Sequence, residues 1–241
     1  MNSLHLWPGD GSLEAAVFLE EESCWVIAID QACRQLELEL ISFIEAQTDH
    51  PIELDVLEGD PIRSEILQSK GWEKLPWHGR IYHMRLDEAP KLEPELPDGF
   101  MIREVNAETR SDAQGVALLL NAAFGRTFHT AEEHTWFTRQ APCYRGFLDL
   151  GVFDGDGCLA AYAGAPYVPE AKRGIFEPIC THPEHRRKGL ARALMQEGLN
   201  RLRALKAFDV ILGTGDMIPA NALYESMGFT SVQRVERWRR P

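Results

Sequence analysis

Apolar positions along this chain fall into short blocks whose period switches between that of a strand and that of a helix. Leu13 to Glu20 and Cys24 to Ile29 read as strands, joined through Glu21-Glu22-Ser23. From Asp30 to Ala46, the residues Ala32, Leu36, Leu40, Ile41 and Ile44 recur at three- and four-residue intervals. That spacing predicts a helix with one buried face, capped by Asp30. Ile52 to Leu57 alternates apolar with acidic residues, as a half-buried strand does. Asp60-Pro61 opens a second helix with proline at its first position, and Gly71 closes it. Trp72 to Trp77 and Arg80 to Leu86 then predict a strand pair. Residues 1–12, punctuated by Pro8-Gly9-Asp10-Gly11, read as turns.

The stretch Ala89 to Gly99 carries three prolines and no apolar period, so it reads as a linker. The expected division is residues 1–90, a linker at 91–98, and residues 99–241. After the linker the pattern restarts. Phe100 to Val105 predicts a strand, and Ser111 to Ala123 and Thr130 to Gln140 predict helices. Leu150 to Asp154 and Cys158 to Tyr167 predict strands joined by the hairpin signal Asp154-Gly155-Asp156-Gly157. Ile175 to Thr181 reads as a strand, Leu190 to Leu205 as a long helix and Asp209 to Leu212 as a buried strand. Pro219 to Met227 is a helix closed by Gly228, and Phe229 to Trp238 supplies the last strands.

The two halves repeat. Gly71 and Gly228 stand 157 residues apart, and that offset lays Ser69-Lys70-Gly71-Trp72 on Ser226-Met227-Gly228-Phe229. It also lays Ile52 to Asp55 on Asp209 to Leu212, and the helix from Asp30 on the helix after Arg186. Agreement of three elements at one offset marks a duplicated unit. The halves differ in chemistry: Arg186, Gly189 and Ala191 fall on Ile29, Ala32 and Arg34, and Tyr224 falls on Leu67. The first copy also starts late. It therefore reads as a truncated structural copy without chemistry of its own.

Composition narrows the setting. The 241 residues are 44% hydrophobic and 26% charged, enough for a sizeable core. A formal charge of −12 argues against nucleic acid, whose binding needs basic surface, and suits an amine substrate. The five cysteines, Cys24, Cys33, Cys143, Cys158 and Cys180, are scattered and form no CxxC pair, so neither a disulfide framework nor a zinc site is expected. No signal peptide and no membrane-spanning run is read from the sequence, and a cytoplasmic location is expected.

The chemistry concentrates at Arg186-Arg187-Lys188-Gly189-Leu190-Ala191, between the strand at Ile175 to Thr181 and the helix from Leu190. A basic, glycine-bearing turn that opens a helix suits an anionic phosphate, because the first helical amides have no intrahelical partner and the dipole is positive there. The hexapeptide by itself equally fits a basic helix start in a solvated loop.

Together with a second motif it resembles something more specific. Arg186-x-x-Gly189-x-Ala191 matches the acyl-CoA motif of the GNAT (Gcn5-related N-acetyltransferase) superfamily. Leu223-Tyr224-Glu225-Ser226-Met227-Gly228-Phe229 matches the helix end that is its other signature. Residues 100–238 resemble such a domain, and residues of about 13–86 resemble the C-terminal part of a degenerate second one, as in tandem members. The resemblance implies an α/β fold: a mixed central sheet flanked by helices, with acetyl-CoA wedged between two splayed strands. It implies pyrophosphate held by the amides of Arg187, Lys188, Gly189, Leu190 and Ala191, with Arg186 opening the motif. It implies pantetheine paired along Ile179, Cys180 and Thr181. It implies Tyr224 as the general acid for the leaving thiolate and Glu177 as the residue that takes the amine proton.

One position departs from the family pattern. Met217 stands where many relatives carry an asparagine, and Asn221 is the nearest amide able to touch the cofactor. Pro178 would deny the sheet a hydrogen bond and favours a bulge that aims Glu177 into the cleft; Glu177 equally fits a solvent-facing strand end. His129 and His134, with Trp136, Phe137 and Tyr144, stand in the region that often lines the acceptor site in this family. Cys180 reads as a packed strand residue. The expectation is an acetyl-CoA-dependent N-acetyltransferase needing no metal, acting on an amine as monomer or homodimer, with no nucleic-acid or membrane partner. The alternative is a non-catalytic acyl-CoA-binding module.

Overall fold

The computed structural model describes residues 4–20, 23–48, 50–87, 91 and 93–241, without the side chains of Trp77 and His78. Glu21 and Glu22 of the first expected strand link, and part of the expected linker, lie outside the described residues. The chain forms two compact units. The first is Met1–Ile81 with Thr214–Met217 and Val232–Pro241; the second is Tyr82–Gly213 with Ile218–Ser231.

In chain order the first half carries β1 (Leu4–Pro8), β2 (Leu13–Leu19), β3 (Cys24–Ile29), a 3-10 turn (Gln31–Leu36), α1 (Glu37–Glu45), β4 (Ile52–Leu57), α2 (Pro61–Ser69) and β5 (Glu73–Arg85). The second half carries β6 (Met101–Glu104), α3 (Arg110–Phe124), α4 (Ala131–Gln140), β7 (Asp149–Phe153), β8 (Leu159–Gly164), β9 (Tyr167–Val168), β10 (Arg173–Ile175), β11 (Ile179–Thr181), α5 (Leu190–Ala204), β12 (Asp209–Thr214), α6 (Ile218–Ser226) and β13 (Thr230–Arg240). Among the described residues no helix is long and apolar enough to cross a membrane.

In the first unit the strands run β1-β2-β3-β4-β13. β3 and β4 are parallel, and β13 closes against β4 antiparallel, from Val235 opposite Leu57 to Arg240 opposite Ile52. Residues Leu40, Ile41 and Ile44 of α1 and Leu67 of α2 pack fully buried on Leu54 and Val56. The helix predicted from Asp30 opens as a 3-10 turn and becomes α only at Glu37. Asp30 caps it, its carboxylate accepting from the Ala32 amide at 2.8 Å. Beneath it the Glu37 carboxylate, fully buried, accepts two hydrogen bonds from Arg63 at 2.8 and 2.9 Å.

Two expectations change here. Residues 4–8, expected as turn, form β1, paired with β2 from Leu4 opposite Phe18. The expected strand pair 72–77 and 80–86 is one continuous strand, β5. Its residues from Tyr82 onward belong to the second unit.

The second unit has a mixed sheet. β10 and β12 are parallel, with Arg173, Gly174 and Ile175 opposite Asp209, Val210 and Ile211. The other sheet is antiparallel in the order β11-β8-β7-β6. Residues Leu190, Leu194 and Leu199 of α5 pack with Leu150, Val152 and Phe176. Val116 and Leu119 of α3 pack with Phe153, Tyr162 and Cys180. The 157-residue repeat is visible in the element bounds: it carries β4 onto β12 and α2 onto α6 end for end. Gly71 and Gly228, the two helix stops, share a left-handed φ of 80° and 94°.

Candidate active site

The strand expected at Ile175 to Thr181 changes partners in its middle. The Phe176 N–H still donates to Ile211 of β12 at 3.0 Å, whereas the Glu177 N–H donates to Gly164 of β8 at 3.0 Å. Gly164 in turn donates to the Pro178 carbonyl at 3.1 Å, so two residues, Glu177 and Pro178, oppose one. That is a β-bulge, at the position where Pro178 predicts one. The Glu177-Pro178 bond is cis. Beyond the bulge, among the described residues, Ile179, Cys180 and Thr181 pair only with Ala163, Tyr162 and Ala161. β11 is thus an edge strand, and β10 and β11 belong to different sheets.

After β11 a short 3-10 turn, Pro183–His185, leads into the basic turn. Arg187 and Gly189 take left-handed backbone angles, φ 65° and 80°. A Cβ on Gly189 would meet nothing within 4 Å, so glycine is needed here for its φ rather than for space. The first backbone bond into α5 comes from the Ala193 N–H to the Gly189 carbonyl, at 3.1 Å. Among the described residues the six amides from Arg187 to Arg192 donate to no protein acceptor. Six unpaired donors at the positive end of a 15-residue helix form an anion cradle.

The cations around the cradle are not equivalent. Arg186 donates to the Ala123 carbonyl at the end of α3 (3.1 Å) and so anchors the turn. Lys188 lies 3.1 Å from His185 Nδ1 and 5.4 Å from the centre of the Phe100 ring. Arg192 donates to Ser226 Oγ at 2.5 Å, tying α5 to α6. Arg187 makes no side-chain hydrogen bond or ion pair among the described residues. A pocket of about 500 Å³ opens beside the turn, lined by Lys188, Gly189, Arg192 and Gln196 and by Glu93, Glu95, Leu96 and Pro97.

Tyr224 and Asn221 stand one turn apart on α6, and both are buried. The Asn221 Oδ1 has no hydrogen-bond partner among the described residues. The Tyr224 phenol is pushed up to about 12, first by burial, then by the Glu177 carboxylate and by Tyr82. Glu177 itself is exposed. Tyr224 therefore keeps its proton at neutral pH, within electrostatic reach of a carboxylate. The Tyr82 ring packs 5.7 Å from that of Tyr224, and its hydroxyl donates to Glu225 at 2.8 Å. Tyr82 stands in a strand that the sequence pattern gives to the first copy; its only signal was a large aromatic in an alternating run.

The remaining expected residues divide. Cys180 is buried and its thiol is raised to about 12, mainly by burial, which suits packing rather than nucleophilic attack. The His129 ring lies 3.2 Å from Glu133, four residues on, and Trp136 and Phe137 are exposed. His134 and Tyr144 converge instead on Asp149, which sequence reasoning missed because it reads only as the edge of a strand. Asp149 is 1% exposed; the Tyr144 hydroxyl donates to it at 2.8 Å, and His134 Nε2 lies 3.6 Å away.

The family described as "Acetyltransferase (GNAT) family" matches residues 113–229. A mycothiol acetyltransferase of Beutenbergia cavernae is 32% identical over 156 residues, covering 61% of this chain and 50% of that protein. The chain thus spans about half the length of this curated relative. A GCN5-related N-acetyltransferase from Sphaerobacter thermophilus superposes with a TM-score of 0.71 at 19% identity, covering 95% of this chain and 77% of that one. A tandem GNAT protein from the clavulanic acid biosynthesis pathway superposes with a TM-score of 0.73 at 19% identity, covering 99% and 83%. At such identities the likeness is one of fold.

Proposed function

We propose that this chain is a member of the acetyltransferase (GNAT) superfamily and that it moves an acetyl group from acetyl-CoA to an amine. The observation that carries the reading is the run of six unpaired amides at the start of α5, set directly after the unpaired edge of β11. The amides of Arg187 to Ala191 hold the pyrophosphate, with Arg187 and Lys188 adding charge. Arg186 acts by anchoring the turn through Ala123. Edge groups of Ile179, Cys180 and Thr181 pair with the pantetheine amides as an added strand does. Asn221 offers its unpartnered Oδ1 to the cofactor. No metal enters the reading.

In the reaction the acceptor nitrogen attacks the thioester carbonyl carbon, a C–N bond forms and the C–S bond breaks. The amine proton passes to Glu177, directly or through water, and the Tyr224 O–H delivers a proton to the departing sulfur. Burial serves Tyr224 here: its phenol stays protonated until the thiolate appears. Products are an N-acetyl amide and free CoA.

The test is release of free thiol from acetyl-CoA over a panel of amines, beside the shift in melting temperature that acetyl-CoA causes. A ligand of micromolar affinity in thousandfold excess adds about 4 kcal/mol. Thiol release that depends on the amine supports transfer. Stabilisation without release by any amine favours an acyl-CoA-binding module, and no stabilisation overturns the donor assignment.

A further inference from the structure

The second unit holds a buried polar cluster that acetyl transfer does not use. Asp149 opens β7 and points to the same face as Gly151 and Phe153, away from α5. Its carboxylate is 1% exposed, yet Oδ1 has no hydrogen-bond partner among the described residues. His134, 9% exposed, presents an equally unpartnered Nε2, 3.6 Å from Oδ2. Tyr162, from the neighbouring strand, stands edge-on to His134, its ring centre 6.0 Å away, with its phenol raised by burial and by Asp149. Tyr144, only partly buried, donates to Asp149 Oδ2.

Its position relates it to the transfer site. Asp149 is the cross-strand partner of Gly164, and Gly164 is the residue that the Glu177-Pro178 bulge opposes. The order across the sheet is therefore Asp149, Gly164, Glu177, at about 5 Å per strand. A side chain at Gly164 would fill the row between them: its Cβ would sit 2.6 Å from the Glu177 carbonyl and 3.5 Å from the Tyr162 hydroxyl. Glycine keeps the space between the two carboxylates clear. Tyr162 in turn pairs with Cys180 on β11.

From this placement we infer that Asp149, with Tyr144, Tyr162 and His134, binds a second hydrogen-bond donor of the acceptor, an ammonium or hydroxyl remote from the reacting amine. The inference rests on the transferase reading and adds a substrate class to it: difunctional amines, diamines or amino alcohols, in preference to simple alkylamines. Asp149 Oδ1 accepts from the bound group, and the Tyr144 hydroxyl, held on Oδ2, keeps the carboxylate aimed at it.

The test is calorimetric binding of 1,5-diaminopentane, 5-aminopentan-1-ol and pentylamine to the full chain with CoA present. Wild type is expected to bind one or both difunctional amines about tenfold more tightly than pentylamine, the worth of a hydrogen bond to a charged group. Tyr144→Phe and Asp149→Asn should remove that preference and leave pentylamine affinity unchanged. Tyr144→Phe keeps its ring in place and so tests the idea even if the Asp149 variant is unstable. A preference for the diamine alone identifies an ammonium site; binding of both identifies a general donor site. No preference in wild type, no binding of any of the three, or an equal loss for all three in the variants overturns the proposal. Because binding is read without turnover, a preserved preference with no thiol release defeats the transferase reading alone.

Discussion

The ring of Tyr82 lies 5.7 Å from that of Tyr224, and Tyr82 is fully buried. The proposed general acid is therefore packed by a residue from the strand that follows the first copy's second helix, more than a hundred positions earlier in the chain. Packing on that side is part of what raises the Tyr224 phenol, because it removes water from the hydroxyl. The Glu177 carboxylate raises it further.

Substituting Tyr224 by Phe keeps the ring among Tyr82 and Phe229 and removes the one proton that the mechanism needs. Thiol release should fall by at least about a hundredfold, the usual worth of a positioned acid. The acetyl-CoA-induced shift in melting temperature should persist. Tyr82→Ala should behave differently: it opens a cavity that costs about 3–5 kcal/mol in urea unfolding, and the rate loss follows from a displaced Tyr224. A Tyr224→Phe variant that retains full rate would remove this residue from the chemistry.

Alkaline titration offers a check without substrate. Tyr224 moves from 10.0 unfolded to about 12 folded, so between those values the folded state holds a proton that the unfolded state has lost. Stability must then fall as pH rises through that window, by about 2–3 kcal/mol for this group once both limits are passed. Tyr224→Phe lacks the term, and its unfolding free energy should decline less steeply between pH 10 and 12. Equal slopes would mean that the phenol is not held protonated by its surroundings.

At the acid end Asp209 carries the corresponding effect. Arg173, its neighbour across the parallel strands, donates to it at 2.7 and 2.5 Å, and His83 lies 3.1 Å away. These contacts, Arg173 first, hold the carboxyl below its ordinary value of 3.8. Its contribution is present above the unfolded value and is lost as pH falls through the folded one. Asp209→Asn should cost about 1–3 kcal/mol at pH 7 and progressively less as the pH falls below the ordinary carboxylate value of 3.8. This pair anchors the base of β10 and β12, so a loosened sheet should also weaken acetyl-CoA binding.

Much of this was legible because it rests on local patterns. Alternation located β4, and Asp60-Pro61 with Gly71 bounded α2, because cap and stop act within one turn. The repeat was legible from Gly71 and Gly228, and Leu67 and Tyr224, which it lays on each other, are buried at the same point of their helices. Three things were not. The strand at 175–181 reads as one apolar run, yet changes sheets between Phe176 and Glu177, because partner choice is set by neighbours absent from the local sequence. β1 was hidden by the turn residues after it, since its pairing partner supplies the evidence for a strand. Asp149 looked like the polar end of a strand; only the convergence of Tyr144, Tyr162 and His134 shows that it is buried.

Cysteine reactivity separates buried from exposed thiols. Burial pushes Cys24 and Cys180 up to about 12, whereas Cys158 is exposed. Alkylation of the native chain at pH 8, followed by peptide mass analysis, should label Cys158 well before Cys24 or Cys180. Denaturation should make all three equivalent. Rapid labelling of Cys180 in the native chain would show that the β11 edge opens without ligand.

The two copies answer the same electrostatic need at a helix start in opposite ways, and this predicts one acetyl-CoA per chain. In the repeat register Arg187 stands where the first copy has Asp30. Asp30 turns its own carboxylate onto the Ala32 amide, so the first helix start carries its anion covalently. Arg187 and Gly189 instead bend the backbone through left-handed angles and leave six amides open. Gly189→Ala should meet no clash, yet adds a left-handed penalty of roughly 1–2 kcal/mol, and it should weaken acetyl-CoA binding with a smaller loss in stability. Asp30→Ala should cost about 1 kcal/mol of stability and leave both affinity and stoichiometry in calorimetric titration unchanged. The reason is that the first copy begins with a 3-10 turn and Arg34 bound to Glu37 and Asp60, so removing the cap exposes too few aligned amides to hold a pyrophosphate. A second equivalent of acetyl-CoA bound by Asp30→Ala would show that the cap alone keeps the first copy silent.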